Sequence, residues 1–254
     1  MKSMTFTTGK VDGLREHFDN SAFSYQKTWY RVGLTGTDRS LTKSRQIGAD
    51  WLFAFEALLD ALSTGRNQHF LTCSRYSALT TRATIAEFCR VVGVNVNPFS
   101  LDNILLGNGA LIAFHGENSH AAAHVGNVYL GEYAWAKNPR SILQMAKGMA
   151  MHKNHRLTLY TTPSRSHTAF KIWNGSLRRP RKAVPAIHTD NGVFCADGVF
   201  RQSVTTDDAI QQGCTLWEKD WDKDWLEKHM TEDDFKLLYL GDWSQAANNA
   251  GEMK

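Results

Sequence analysis

Three short stretches carry side chains whose types and spacing could do chemistry. KSRQIGAD, residues 43–50, follows the outline of a phosphate loop: a glycine lets the backbone turn, successive N–H groups wrap phosphate oxygens and a cation neutralises them. The order is unusual. In the common pattern G-x-x-x-x-G-K-[ST], a lysine and then a hydroxyl follow the second glycine. Here Gly48 is followed by Ala49 and Asp50, and the lysine, Lys43, stands at the front, ahead of Ser44, Arg45 and Gln46. The second stretch is Leu130-Gly131-Glu132, an acid closing the apolar run NVYL. The third is Thr161-Thr162-Pro163-Ser164, which follows RLTLY. A nucleotide-hydrolysing site needs these parts: a loop at a helix N-terminus, a carboxylate at a strand end for metal and water, and a hydroxyl-bearing sensor on another strand. Taken singly, each has an ordinary reading as a turn or a surface acid, and it is their order that makes the set informative.

The elements that must position them follow from periodicity. WLFAFEALLDALSTGR repeats apolar residues at helical spacing, with Leu52, Phe55, Leu58, Leu59 and Leu62 on one broad face and Gly65 as its stop. The octapeptide therefore opens a helix. HFLTCS reads as a buried strand, SALTTRATIAEFCRVVG as a helix ending at Gly93, and ILLGNGALIAFHG as two apolar runs turned at Asn108-Gly109. NVYLGEYAW and RLTLYTTPS are further strands, PRSILQMAKGMAMHK is helical, and DDAIQQG begins a short helix. Residues 1–22 read as an arm or a lead-in helix, with order beginning near Phe23, and the chain beyond Ser166 reads as mixed and loop-rich. Strand and helix alternating in this way predict an α/β fold: a mainly parallel central sheet with helices on both faces.

With 254 residues, 42% of them hydrophobic, the chain can bury a sizeable core. No apolar run approaches the roughly 18 residues of a membrane span and no secretory leader is evident, so a cytoplasmic location is expected. Four cysteines far apart, with no C-x-x-C pair, read as reduced, mostly packed thiols. The net charge of +4 is compatible with a polyanionic partner without requiring one. The basic tract SLRRPRK, with Arg178, Arg179, Arg181 and Lys182, reads either as a nucleic-acid backbone contact or as a solvated loop. Asp220, Asp222 and Asp224 alternate as in a calcium loop, but Trp225 and Thr231 stand where glycine and glutamate are needed, so an acidic helix with tryptophans on its inner face is expected. His115, His120, His124, His152 and His155 lack a third ligand at a metal-binding spacing and read as packed or surface residues.

In FSYQKTW, KSRQIGADWLFAFEALLDAL, NQHFLTCS, LLGNGALIAFHGENS, GNVYLGEYAW, GMAMHKNHRLTLYTTPS and FCADGVFRQSVTTDDAIQQGC, over residues 23–240, the chain resembles the large terminase subunit of tailed phages, in particular the ATPase subunit of the peduovirus type. The resemblance implies a phosphate-loop NTPase fold of the RecA/ASCE kind, with ATP and Mg²⁺ as cofactors. It implies double-stranded DNA, a portal protein and a small terminase subunit as partners, a homo-oligomeric ring on the portal, and transient residence at the procapsid in the bacterial host. By the same resemblance Gln26 reads the adenine edge, Lys43 is a lysine displaced to the front of the loop, and Arg45 assists it. Ser44, Gln46, Gly48, Ala49 and Asp50 complete the nucleotide contacts, Glu132 orients the attacking water, and Thr161 and Thr162 couple the γ-phosphate to the motor.

Two departures bear on metal binding: Asp50 replaces the Mg²⁺-ligating hydroxyl, and Gly131 replaces the first acid of the usual Asp-Glu pair. With Glu132 and Asp50 as the remaining metal-ligating candidates, weak hydrolysis is predicted. The alternative is a hydrolysis-deficient relative that binds DNA, portal or terminase partners and redirects or blocks packaging. The expected organisation is an arm (1–22), an ATPase core (23–200) and a C-terminal helical subdomain (201–254), with no nuclease domain.

Overall fold

A computed structural model describes residues 4–96, 102–117, 121–178, 184–217 and 222–249. In chain order the elements are α1 (Thr8–Ser21), α2 (Ser24–Leu34), β1 (Arg39–Lys43), α3 (Ala49–Thr64), β2 (Gln68–Thr72), α4 (Arg75–Val91), β3 (Asn103–Leu105), β4 (Leu111–Gly116), β5 (Asn127–Gly131) and α5 (Pro139–Met149). They continue with β6 (Leu157–Thr161), α6 (His167–Trp173), β7 (Ile187–Thr189), β8 (Gly192–Phe194), β9 (Phe200–Val204), α7 (Thr206–Gln211), α8 (Asp224–His229), α9 (Glu232–Tyr239) and α10 (Ser244–Asn248). Two compact units share the chain. One holds Met1–Ala22, Asp50–Gly131 and Ile142–Leu157; the other holds Phe23–Ala49, Glu132–Ser141 and Thr158–Lys254.

In the first unit β2 runs parallel to both β4 and β5, and β3 pairs antiparallel with β4. α3 is not amphipathic: Leu52, Phe53, Ala54, Phe55, Glu56, Ala57, Leu58 and Leu59 are all buried, so the single apolar face expected from spacing is instead a helix enclosed on every side. The segment before Phe23 is ordered earlier than its sparse apolar pattern implies. α1 stacks Phe18 on Phe55 at 4.2 Å, a ring pair contributing about 0.5–1.5 kcal/mol beyond its buried area. One polar network lies inside this unit. Arg156 Nη2 donates to Glu56 Oε1 at 2.7 Å and to the Tyr129 hydroxyl at 2.9 Å, and Tyr129 donates to the same carboxylate at 3.0 Å.

The first unit also gathers histidines that lie far apart in sequence. His69 Nδ1 is 3.3 Å from His115 Nε2, and the rings of His69, His115 and His124 stand 5.5, 5.8 and 5.5 Å apart. Among the described residues no group of three or more His, Cys, Asp or Glu side chains is arranged to hold a metal ion. Burial is the largest cause that lowers both His69 and His115 to about 4. His124 and His155 press the same way on His69, as His124 does on His115, while the Val125 backbone and Asp102 partly offset it. The folded chain therefore stays unprotonated at these sites down to about pH 4, whereas the unfolded chain takes up protons near the ordinary value of 6.5. Because the unfolded state binds more protons in that window, stability falls on acidification from about pH 6.5 to 4, by up to about 1.4 kcal/mol per pH unit per histidine, and these groups contribute no slope above it. Urea unfolding followed against pH checks this, and His115→Gln is expected to flatten that limb.

In the second unit β1 lies between β6 and β9, parallel to both, and β7, β8 and β9 form antiparallel pairs at the edge. The chain beyond Ser166, expected to be loop-rich, supplies these three strands. β1 is RSLTK, polar yet wholly buried. Most of its polar side chains find partners: Arg39 donates to Trp29 O at 2.5 Å and Thr158 Oγ1 at 2.7 Å, and Thr42 accepts from Trp243 Nε1 at 2.9 Å. The acidic helix expected to turn its tryptophans inward does not do so at Trp225, which is 49% exposed. Cys89 and Cys214 are buried, Cys73 and Cys195 are partly exposed, and none of the four is in a disulfide. No described helix is long and apolar enough to cross a membrane. The fold class is the α/β one expected, with a mostly parallel mixed sheet.

Candidate nucleotide site

β1 ends at Lys43 and the loop Ser44–Gly48 leads to α3. Several neighbours within the second unit fix the path of this loop. The Tyr25 hydroxyl donates to Ile47 O at 2.5 Å, and burial, with the Cys214 thiol beside it, holds that phenol well above the usual tyrosine range, so it stays a donor. Gln26, 1% exposed, accepts from Phe23 N–H at 2.9 Å and donates to Gly48 O at 2.9 Å. Trp217 Nε1 donates to Gln46 O at 3.2 Å, and Arg45 N–H to Leu238 O at 3.1 Å. Gly48 has φ +72°, and a Cβ there would stand 2.8 Å from Gln26 Nε2, so this position needs glycine on two counts.

The sheet brings the three sequence motifs together. Lys43 Nζ lies 2.6 Å from Glu132 Oε1 and donates to Thr162 Oγ1 at 3.2 Å. The other carboxylate oxygen of Glu132 accepts from Thr162 N–H at 3.0 Å, and the Thr161 hydroxyl lies 3.3 Å from it. Parallel pairing of β1 with β6 sets Thr42 opposite Thr161, so the strand ends, and with them Lys43 and Thr162, fall side by side. The lysine is nearly buried and the carboxylate is 29% exposed, so this ion pair opens to solvent on the acid's side. Among the described residues two non-glycines have positive φ, Gln46 at 57° and Glu132 at 51°. Each such conformation costs about 1–3 kcal/mol and persists only where its surroundings over-determine it. Gln46 lies on the loop that follows Lys43, and Glu132 is the acid that faces that lysine.

The other expected residues are placed as follows. Arg45 sets its guanidinium 5.3 Å from the Trp135 ring centroid, and Trp135 donates to Thr162 O at 3.2 Å, so Arg45 reaches the cluster through an aromatic ring. Sequence reasoning passes over Trp135, although it stands three residues after the acid in GEYAW. Ser44 Oγ, fully buried, is 2.6 Å from Thr206 Oγ1 and is part of the packing behind the loop. Asp50 is exposed in the first turn of α3, where an acid favours the helix dipole. Gly131 ends β5 opposite Thr72 and brings no acid. Arg178 Nη2 is engaged by Asp38 at 2.8 Å, and Arg179, Arg181 and Lys182 lie outside the described residues, as do His120 and Asp220. A Mg²⁺ ion uses one or two carboxylates and takes its other ligands from water and phosphate. The cluster offers one, Glu132, which fits such an ion only in company with nucleotide oxygens.

The chain has known relatives. The family profile described as terminase large subunit, T4likevirus-type, N-terminal, matches residues 41–251. The terminase ATPase subunit of Escherichia phage P2 is 39% identical over 251 residues, covering 94% of this chain and 41% of that protein. The probable terminase ATPase subunit of Haemophilus phage HP1 is 34% identical over 250 residues, covering 93% and 40%. The chain thus spans about two fifths of the length of these relatives. Among solved structures, a large terminase from a thermophilic bacteriophage, in complex with ADP, superposes with a TM-score of 0.64 at 14% identity, over 87% of this chain and 54% of that one. The large terminase ATPase domain of Thermus phage P74-26 gives 0.52 at 13% identity, over 82% and 89%. At such low identity these structures establish the shared fold, and the sequence matches carry the assignment: the chain belongs to the terminase large-subunit family.

Proposed function

We propose that this chain is the ATPase module of a phage DNA-packaging motor, binding ATP at the loop 43–49 and using its hydrolysis to drive double-stranded DNA through a portal into a capsid. The observation that carries the reading is the convergence of Lys43, Glu132 and Thr162 at neighbouring strand ends. An arriving triphosphate competes with Glu132 for the Lys43 ammonium. Once the lysine turns to phosphate, one oxygen of Glu132 becomes available to accept a hydrogen bond from the attacking water, while the other stays held by the Thr162 amide. Mg²⁺ would be held by Glu132 in company with nucleotide oxygens and would supply charge neutralisation. Thr162 touches both lysine and carboxylate and so is placed to pass a change at either one into β6. The curated relatives are terminase ATPase subunits, which supports DNA, a portal and a small terminase subunit as partners in the host cytoplasm. The tract Arg178, Arg179, Arg181 and Lys182 supplies positive charge for a DNA backbone.

A second reading, a nucleotide-binding relative that does not turn over, is favoured by Gly131, which leaves Glu132 the lone carboxylate of the cluster. Steady-state hydrolysis of Mg-ATP with DNA, comparing the intact chain with Lys43→Ala, separates the two. The motor reading expects turnover that falls about 100-fold or more in the variant, the usual scale for removing one preorganised charge. Tight binding of a non-hydrolysable analogue with no turnover by the intact chain selects the second reading.

A further inference from the structure

We propose that Trp135 is a positioning residue for the hydrolytic step: its indole holds the Arg45 guanidinium, charged and not neutralised, on the acid's side of the nucleotide site. The inference rests on the nucleotide reading of the loop. It concerns the second unit alone, which contains the loop, Glu132 and the end of β6. The backbone builds the platform first. β5 ends at Gly131, and Glu132, at φ 51°, turns the chain out of the sheet into the single turn Tyr133–Trp135. Trp135 N–H donates to Glu132 O at 3.0 Å and closes that turn. One left-handed residue thus directs two groups, its own carboxylate toward Lys43 and the ring three residues later toward Arg45. The turn is then fastened to the end of β6 at three points. Ala134 N–H donates to Thr161 Oγ1 at 3.3 Å, Ala134 O accepts from Ser164 Oγ at 2.7 Å, and the Trp135 indole donates to Thr162 O at 3.2 Å. An indole held in this way is a fixed surface.

What the ring holds separates this contact from the protein's other arginine contacts. Arg66, Arg156, Arg165, Arg178 and Arg201 each meet a carboxylate. Among the described residues no carboxylate meets Arg45, whose guanidinium lies 5.3 Å from the Trp135 ring centroid. Glu132, the acid beside the ring, is already taken by Lys43 and by Thr162 N–H. A ring orients a guanidinium and restricts its rotamers, yet leaves its full charge and its N–H donors for another group. A carboxylate partner would use up both. Trp135 is 43% exposed and Arg45 is exposed, so a polyanion can reach the cation without displacing protein. Phosphoryl transfer is accelerated chiefly by positioned charge around the transferring group, so a cation fixed beforehand beside the acid acts on rate.

Single-turnover hydrolysis of Mg-ATP and calorimetric titration of a non-hydrolysable analogue, both on the full chain, test this. Trp135→Leu should slow hydrolysis about 5- to 30-fold, the span from an exposed cation–π contact to a desolvated one, and leave the analogue's Kd within about twofold. Trp135→Phe keeps a ring and loses the indole N–H, so its rate should stay within about threefold of the parent. In an Arg45→Ala background Trp135→Leu should change the rate by less than about twofold, because a residue acting through another then has nothing to act on. NMR of the nucleotide-free chain gives a readout apart from activity: the Arg45 Nε–H resonance should lie upfield, in the ring current of the indole, and move back in Trp135→Leu. Several results overturn the assignment and leave the nucleotide site standing: full rate in Trp135→Leu, a Kd that rises in step with the loss of rate, Trp135→Phe as slow as Trp135→Leu, an equal loss with and without Arg45, or no ring-current shift. Should Trp135→Leu not fold, Arg45→Lys decides: it keeps the charge, gives up the flat guanidinium and should slow turnover by the same factor of about 5 to 30, full rate overturning the proposal. Binding without turnover by the intact chain removes the assignment together with the motor reading, and absence of both removes it together with the nucleotide reading.

Discussion

Glu132→Gln should leave a folded chain that binds ATP at least as tightly as the parent and hydrolyses it about 10²–10⁴-fold more slowly, the range for losing a positioned acid–base group. What decides this is how the carboxylate is held. One oxygen faces the Lys43 ammonium and the other faces the Thr162 amide, so both directions present donors. A carboxylate satisfies both; an amide has one oxygen and must turn its own N–H₂ toward one of the two. Whichever orientation it takes, the attraction to Lys43 loses its full charge. The lysine is then freer to meet phosphate, which favours binding, while no anionic acceptor remains for the water proton. Single-turnover hydrolysis measured beside analogue titration reads both effects at once. Slow chemistry with unchanged or tighter binding is the expected pair; normal chemistry in the variant would remove Glu132 from its assigned role.

Arg156→Met is the second large effect, on the fold and not on chemistry. Glu56 and Arg156 are 1% and 4% exposed, and the guanidinium also lies 3.4 Å from Asp60. Removing one partner of a buried ion pair strands the other charge away from water, which typically costs about 3–5 kcal/mol. Most of that loss comes from the orphaned carboxylate, so the double variant Arg156→Met with Glu56→Gln should recover the larger part of it. Urea unfolding of the three chains measures the difference directly. If the single variant loses less than about 1 kcal/mol, the network is not the keystone its burial implies. The Arg156 guanidinium is held well above even its usual range: the neighbouring Tyr129, Glu56 and Asp60 outweigh a burial effect acting in the opposite sense. It therefore stays charged at every pH at which the chain is folded.

How far the sequence discloses this site depends on the scale of the signal. α3 is legible because its apolar positions are dense, and the strand ends at Glu132 and Thr161 because apolar runs stop abruptly there. β1 is not, although it carries the key lysine. RSLTK has neither alternation nor an apolar run, and its burial rests on hydrogen bonds from Arg39 to Trp29 and Thr158, the latter far away in sequence. The same limit hides β7 to β9, short strands of which only β9 pairs with β1. Lys43 and Glu132 could each be suspected from their local setting, yet their 2.6 Å approach is a product of strand pairing that no local pattern encodes. The histidine cluster shows the converse: His115 and His124 are near in sequence and read there as ordinary residues, and strand pairing sets His69 of β2 against both.

The two left-handed side-chain-bearing residues bear on how such a module ages under selection for endurance. At Gln46 and Glu132 a glycine would relieve the backbone at once, so every drift toward a more heat-resistant chain pushes those codons toward the one residue that has neither amide nor carboxylate to offer. Among the described residues, hardiness and the proposed duty pull in opposite directions at those two places.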